Sequence, residues 1–282
     1  MVDDIRAALR ARQTVEGAFA PLPGGPPRVD ATAWSLILLQ AVLKDYSALA
    51  PALRWLRRQQ QPDGRLSLAP DYPQAWWPTP LAIWAWESAP EFQEARERAC
   101  RFLLTHRGEV VQYHPGKINP SLRGWNYVEG TFSWVEPTAL AVAALARAGY
   151  GQEAAVQEGI TLLLDRQLPD GGWNYGNTVV FATQLRPAPE YTGMALYALA
   201  GKIDPAQVQV SLAYLQQTLP QTLTPLALGW GVLALTAWQV LPPAALTWLA
   251  AGWHQWRNCP YLDTAALALL GLAAWQAKAG EF

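Results

Sequence analysis

Four carboxylic acids occupy one recurring place in the sequence. Asp30, Glu136 and Glu190 each stand two residues before a threonine (Thr32, Thr138, Thr192), and Asp263 stands one before Thr264. Each opens a strongly apolar run. A carboxyl group held among apolar and aromatic side chains keeps its proton to higher pH and can act as a general acid. A helix N-terminus works against that shift, because it favours the carboxylate. The competing role for each acid is to cap or flank a helix start without chemistry. Glu136, in the stretch FSWVEPTALA with Trp134 close by, is the leading candidate, followed by Asp263, with Glu190 and Asp30 behind.

Aromatic residues form the second set. The chain holds 15 Trp and 10 Tyr in 282 residues. A buried indole must pack its faces and find a partner for its N–H, so this count implies braces between elements, an aromatic-lined cavity, or both. The candidate ligand-facing rings are Trp34, Trp77, Trp84, Trp125, Tyr127, Trp134, Trp173, Tyr175, Tyr191 and Trp230. Such faces could stabilise a carbocation, stack on a sugar, or simply fill the core. His254, Cys259 and Asp263 fall within ten residues, a zinc-type set of donors. Their spacing matches no metal motif, and the simpler expectation is a capping Asp beside a buried Cys. No metal and no cofactor is expected. His106 and His114 read as solvated loop residues.

The elements that must position these residues are helices. Six apolar runs start near a threonine, at Thr32, Thr79, Thr138, Thr192, Thr224 and Thr264. They are apolar nearly all round, which predicts burial, and the Thr, with neighbouring Asp or Pro, reads as a helix-start signal. Between them lie six more polar helical patterns, near 3–12, 48–60, 92–105, 152–166, 206–217 and 243–256. Turns with Gln, three residues, Gly, one residue and a large apolar residue recur at Gln13–Phe19, Gln60–Leu66 and Gln167–Trp173. A weaker echo runs from Gln217 to Leu223, and GWNY occurs at 124–127 and again at 172–175. A unit repeated six times, outer helix, turn, inner helix, predicts an all-α fold, an (α/α)6 toroid or barrel of six outer–inner helix pairs. No linker divides the chain, so residues 1–282 read as one barrel domain. The stretches 67–78, 107–136 and 174–190 read as ordered loops at one mouth.

Composition excludes several function classes. Formal net charge is −1 with no basic run, which argues against nucleic acid as a partner. Two cysteines give no disulfide framework. No apolar run approaches the ~20 residues of a membrane span, and the acidic, amphipathic start is no signal peptide, so a soluble, cytoplasmic protein is expected. Mean hydropathy of +0.01 leaves room for a one-sided, peripheral membrane contact.

The Gln167–Gly171–Trp173 spacing resembles the QW motif of squalene–hopene cyclases and of the wider prenyltransferase β-subunit superfamily, and the likeness of the Thr-anchored helices covers essentially the whole chain. The resemblance implies that the turns brace outer helices. It also implies an isoprenoid-like ligand. The class II acid motif Asp-x-Asp-Asp-Thr-Ala is incomplete: Asp263-Thr264-Ala265 fits its end, while Leu262 stands at the proton-donor position and Pro260 at the first Asp. The prenyltransferase zinc pair Asp-x-Cys and the Asp-rich magnesium motifs are absent. The minus-two register of Asp30, Glu136 and Glu190 is that of the cyclase proton donor, displaced onto other helices. Three functions follow as expectations: an isoprenoid-binding or isoprenoid-cyclising protein with an acid at the wall of an apolar cavity; a helical binding or scaffold protein that kept the fold without the chemistry, its barrel plugged by its own side chains; and a carbohydrate-active barrel with paired carboxylates. A prenyltransferase-like β-subunit would need a helical partner chain, and nothing in the sequence reports one.

Overall fold

A computed structural model describes residues 1–43, 46–110 and 118–279. Twelve helices alternate along the described chain in six pairs. They are α1 (Val2–Arg10) with α2 (Val29–Val42), α3 (Ala50–Arg58) with α4 (Thr79–Ala85), and α5 (Gln93–Thr105) with α6 (Val135–Leu145). The remainder are α7 (Ala154–Asp165) with α8 (Pro189–Leu199), α9 (Gln209–Thr218) with α10 (Pro225–Ala237), and α11 (Ala245–Trp256) with α12 (Thr264–Ala279). The even-numbered helices contact one another in sequence, and α12 packs back on α2, so the inner ring closes. Each odd-numbered helix from α3 onward packs outside the inner helix that precedes it, and α1 lies against α12; α9 and α11 also touch the inner helix that follows. His114 lies outside the described residues.

Burial follows the two kinds of pattern. Every side chain of α2 from Val29 to Gln40 is buried, whereas α1 buries only Ile5 and Leu9. An inner helix meets the lumen on one side and outer helices on the other, so it has no solvent face to make polar. Each fully buried Leu or Ile contributes roughly 1.5–3 kcal/mol from the transfer of its side chain.

The turns between layers are one structure repeated. At Gln13, Gln60 and Gln167 the next residue's N–H donates to the carbonyl four further on (Thr14 to Ala18, Gln61 to Arg65, Leu168 to Gly172). The glycines inside have positive φ: 87° at Gly17, 104° at Gly64 and 86° at Gly171. At Gly64 a Cβ would also lie 2.3 Å from the Arg98 carbonyl oxygen, so glycine is required twice over. The Gln side chain then reaches the next outer helix. Gln60 Nε2 donates to the Ala95 carbonyl at 2.8 Å, and Gln167 Nε2 to Ser211 Oγ at 2.8 Å.

The threonines prove to do something other than start helices. None of Thr32, Thr79, Thr138 or Thr192 caps its own helix, and three of the four lie one turn inside it. Each hydroxyl instead accepts the N–H of the large residue in the preceding turn: Phe19 to Thr32 at 3.0 Å, Leu66 to Thr79 at 3.0 Å, Trp125 to Thr138 at 3.0 Å and Trp173 to Thr192 at 2.9 Å. Thr32, Thr138 and Thr192 also donate back to that residue's carbonyl, at 3.2–3.4 Å, while the Thr79 hydroxyl donates more closely to the Trp76 carbonyl, at 2.8 Å. All four hydroxyl-bearing side chains are fully buried. Thr264 closes the ring in the same manner on another partner, donating to the Ala20 carbonyl at 2.6 Å and accepting from Arg12 at 3.0 Å. Thr224 departs from the pattern: it is exposed and makes no capping bond, and Leu223 is exposed too, so the Gln217–Leu223 echo is not a turn of this kind.

Thr138→Val deletes the acceptor for the buried Trp125 N–H. It should cost about 1–3 kcal/mol, seen as a melting temperature lowered by several degrees. Thr224→Val should stay within about 0.5 kcal/mol of wild type. Thermal and urea melts of the two variants side by side check this; equal losses would remove the lacing role from Thr138.

Candidate functional site

The inner helices all point their N-termini to one mouth, and the ring order decides which acids meet there. Asp30 sits on α2 and Asp263 immediately before α12, the two helices that close the ring. Glu136 sits on α6 and Glu190 on α8, neighbours at the opposite side of the ring. The four acids therefore form two pairs on facing walls of the mouth.

The first pair is held by one cation. Arg28 Nε and Nη2 donate to the two oxygens of Asp30 at 2.6 and 2.8 Å, and Nη2 also reaches Asp263 Oδ2 at 3.2 Å. Asp30 is buried. Asp263 Oδ1 accepts the Ala265 N–H at 2.8 Å, so this carboxyl does cap α12. Burial raises its pKa, while the Ala265 bond and Arg28 oppose the rise. Arg28 is a residue that motif reading does not single out. The available signal is an Arg two positions before an acid that heads an apolar helix.

The second pair has no cation beside it among the described residues. Glu136 lies in the first turn of α6, partly open to the mouth but hemmed in by protein. Tyr127 Oη donates to Glu136 Oε2 at 2.6 Å. Burial pushes the Glu136 carboxyl above the usual carboxylate range, the Tyr127 bond pulls it down, and Glu190 pushes it up again. Burial, with the nearby Glu136 and Glu190, raises the pKa of the Tyr191 hydroxyl. Trp134 and Tyr175 flank this wall, their ring centroids 5.7 Å apart. Val135 N–H, at the start of α6, donates to the Tyr175 carbonyl at 3.1 Å, so the turn before α8 is tied to α6.

The remaining candidate rings divide by position. Trp125 and Trp173 are buried between layers, and their indole N–H groups donate to the Leu103 and Leu163 carbonyls of α5 and α7 at 2.9 and 2.6 Å. These two are braces. Trp77 is partly buried against the core. Trp34, Trp84 and Trp230 meet in a four-ring cluster completed by Tyr197, with neighbouring centroids 5.4–5.8 Å apart. Trp34 on α2 touches Trp230 on α10, and Trp84 on α4 touches Tyr197 on α8. Neither pair of helices is adjacent in the ring, so these rings meet through the lumen and fill it at that level. Arg147 lies over Trp84, 5.0 Å from its centroid, and pairs with Glu87 at 2.6 Å. Cys259 and His254 do not join Asp263: no group of three or more His, Cys, Asp or Glu is placed to hold a metal ion among the described residues. No helix among them is long and apolar enough to cross a membrane.

No family model and no curated protein matches the sequence. Solved structures do match in fold. The type II terpene cyclase MstE from Scytonema, bound to geranylgeranyl dihydroxybenzoate, superposes with a TM-score of 0.64 at 13% identity, over 99% of this chain and 96% of that one. An inactive variant of an alpha-1,6-mannanase from Salegentibacter, bound to alpha-1,6-mannotriose, gives 0.66 at 12% identity, over 99% and 98%. The ent-copalyl diphosphate synthase from Streptomyces platensis gives 0.53 at 19% identity, with 90% of this chain matching 50% of that one. With a closed ring of six helix pairs and these likenesses, the chain has the terpene cyclase-like (α/α)6 fold.

Proposed function

We propose that the chain acts on an isoprenoid-type substrate at the N-terminal mouth, with Glu136 as the proton donor. The observation that carries this reading is the setting of Glu136: a carboxyl at the mouth whose pKa burial and Glu190 raise, hydrogen-bonded by Tyr127 and with no cation beside it among the described residues. With Oε2 accepting from Tyr127, Oε1 is the oxygen that carries the transferable proton. Donation from Oε1 to an alkene or epoxide of a prenyl chain leaves a carboxylate that keeps the Tyr127 bond. The faces of Trp134, Tyr175 and Tyr191 line the same wall and suit the positive charge that develops on carbon. A carboxyl with a raised pKa is a weak acid, so the proton must move together with stabilisation of that charge. Asp30 and Asp263 are held by Arg28 and serve the ring closure in this reading. The fold likeness to a cyclase bound to a geranylgeranyl compound supports the substrate class.

A second reading rests on the four-ring cluster. A lumen filled by Trp34, Trp84, Tyr197 and Trp230 suits a helical scaffold that kept the fold without chemistry, and it limits any substrate to the mouth. Incubation with geranylgeranyl dihydroxybenzoate, squalene, prenyl diphosphates and alpha-1,6-mannooligosaccharides separates the readings. Product from a prenyl compound, lost about 10²–10⁴-fold in Glu136→Gln and about tenfold in Tyr127→Phe, is the expected result. No binding or turnover of any of them would favour the scaffold. Cleavage of the oligosaccharide dependent on both Glu136 and Glu190 would favour the carbohydrate function.

The raised Glu136 pKa also fixes a pH dependence. The folded state keeps this proton above the unfolded value of about 4.3, so stability falls as pH rises through the folded pKa. Glu136→Gln cannot ionise. Its melting temperature relative to wild type should therefore climb between pH 4 and pH 8, and wild-type activity should decline over the upper part of that range. A flat difference across the range would mean that Glu136 is not held protonated.

A further inference from the structure

A groove of about 640 Å³ lies between the turn before α2 and the C-terminal end of α3. Pro26, Pro27, Pro70 and Pro73 stiffen its walls and Trp55 lies at its base, so it is preformed. The repeat shows what belongs in such a groove. Counting from the matched turn residues Phe19 and Trp125, Pro26 and Pro27 stand where unit three has Phe132 and Ser133. Counting from Gln60 and Gln167, Gln59 stands where Arg166 stands. Phe132, Ser133 and Arg166 line the equivalent seam, whose remaining void is only about 10 Å³.

That seam is filled by the chain itself. In unit three Arg107 does the work of the turn Gln, donating to the Ala155 carbonyl as Gln60 donates to that of Ala95. From Arg107 to Trp125 the chain runs eighteen positions, against six in the other turns, and the extra length carries Ile118, Pro120 and Leu122 into the seam. The main chain of Asn119 is gripped at its centre. Its N–H donates to both oxygens of Asp165 at 3.1 and 3.0 Å, and its carbonyl accepts from Arg166 at 3.4 and 3.3 Å. Unit one has no such extra segment, and its seam stands open with Gln59 where Arg166 stands and Arg58 where Asp165 stands; Arg58 only donates, so a main-chain N–H there must be accepted by the Gln59 Oε1.

We infer that the open seam between the first two units is a docking site for an extended, proline-containing peptide segment of a partner protein, apolar at alternate positions as Ile118–Leu122 is. Alternate apolar side chains enter the proline-walled groove, the Gln59 amide accepts a main-chain N–H through Oε1 and donates through Nε2, and Arg58 donates to a main-chain carbonyl. Recognition of an extended segment with a central proline costs less ordering than recognition of a flexible one. Glu136 has no part in it.

A fluorescently labelled synthetic peptide with the sequence of residues 117–123 supplies the probe, read by anisotropy against the full chain. Saturable binding with a Kd below about 1 mM is expected. It should weaken at least fivefold in Gln59→Ala and with a Pro120→Ala peptide, and vanish in Ala69→Trp, which fills the groove. Glu136→Gln should bind as wild type. Melting curves confirm that each variant is folded. No saturation at 1 mM, equal binding of a scrambled peptide, or binding indifferent to Ala69→Trp would overturn the inference. So would displacement of a hydrophobic dye from the groove by Ala69→Trp with no peptide binding, which would make the groove a small-molecule site.

Discussion

The bond that the rest of this structure depends on is the two-way hydrogen bond between a buried threonine and the turn before it. A toroid of twelve helices has to fix how far each inner helix stands from the outer layer and how it is rotated about its axis. Apolar packing alone does this poorly, because an inner helix such as α2 is apolar on every side and presents no preferred face. The threonine removes the ambiguity. Its hydroxyl takes the N–H and returns a bond to the carbonyl of one residue, so the helix can dock in one rotation only. The cost of leaving that N–H unpaired in the core makes the wrong rotation expensive. Everything at the mouth inherits its position from this lacing, since the acids lie within two residues of the laced threonines.

The two acid pairs show how the same backbone position acquires different chemistry. Asp30 and Asp263 share the Arg28 guanidinium, which ties α2 to the helix that closes the ring. Glu136 and Glu190 have no cation beside them among the described residues, and at Glu136 the Tyr127 hydroxyl takes its place. A neutral donor satisfies a carboxyl oxygen without favouring the charged form as strongly as a guanidinium does. Burial raises the pKa of both Asp263 and Glu136; what differs is the group that opposes the rise, the Arg28 guanidinium and the Ala265 N–H at one and the Tyr127 hydroxyl at the other.

Much of this was legible in the sequence. The six-fold alternation, the helix positions and the convergence of the minus-two acids all follow from spacing. The role of the threonines did not, because a hydroxyl near a helix start reads as a cap, and its true partner lies 13 or 19 residues upstream in the turn. Unit three was hidden because Arg107 replaces the Gln and twelve residues interrupt the spacing before Trp125. The pairing of acids was hidden for another reason: it needs the contact of α12 with α2, which joins residues at opposite ends of the chain. Which tryptophans face the lumen could not be read either, since all-apolar helices carry no phase.

The lumen cluster constrains any chemistry at the mouth. Rings from α2, α4, α8 and α10 pack edge to face or stacked, an arrangement worth roughly 0.5–1.5 kcal/mol per pair beyond burial. Arg147 covers the outer face of Trp84 and is itself held by Glu87, so the cluster is bounded on the far side by an ion pair. To admit a long chain, several of these contacts would have to break together, and the laced inner helices cannot move apart to compensate. The rings are therefore a floor. A ligand approaching Glu136 meets an acid at the rim, aromatic faces beside it and a fixed aromatic surface below. That geometry favours a substrate whose reacting end is presented at the mouth over one threaded through the ring.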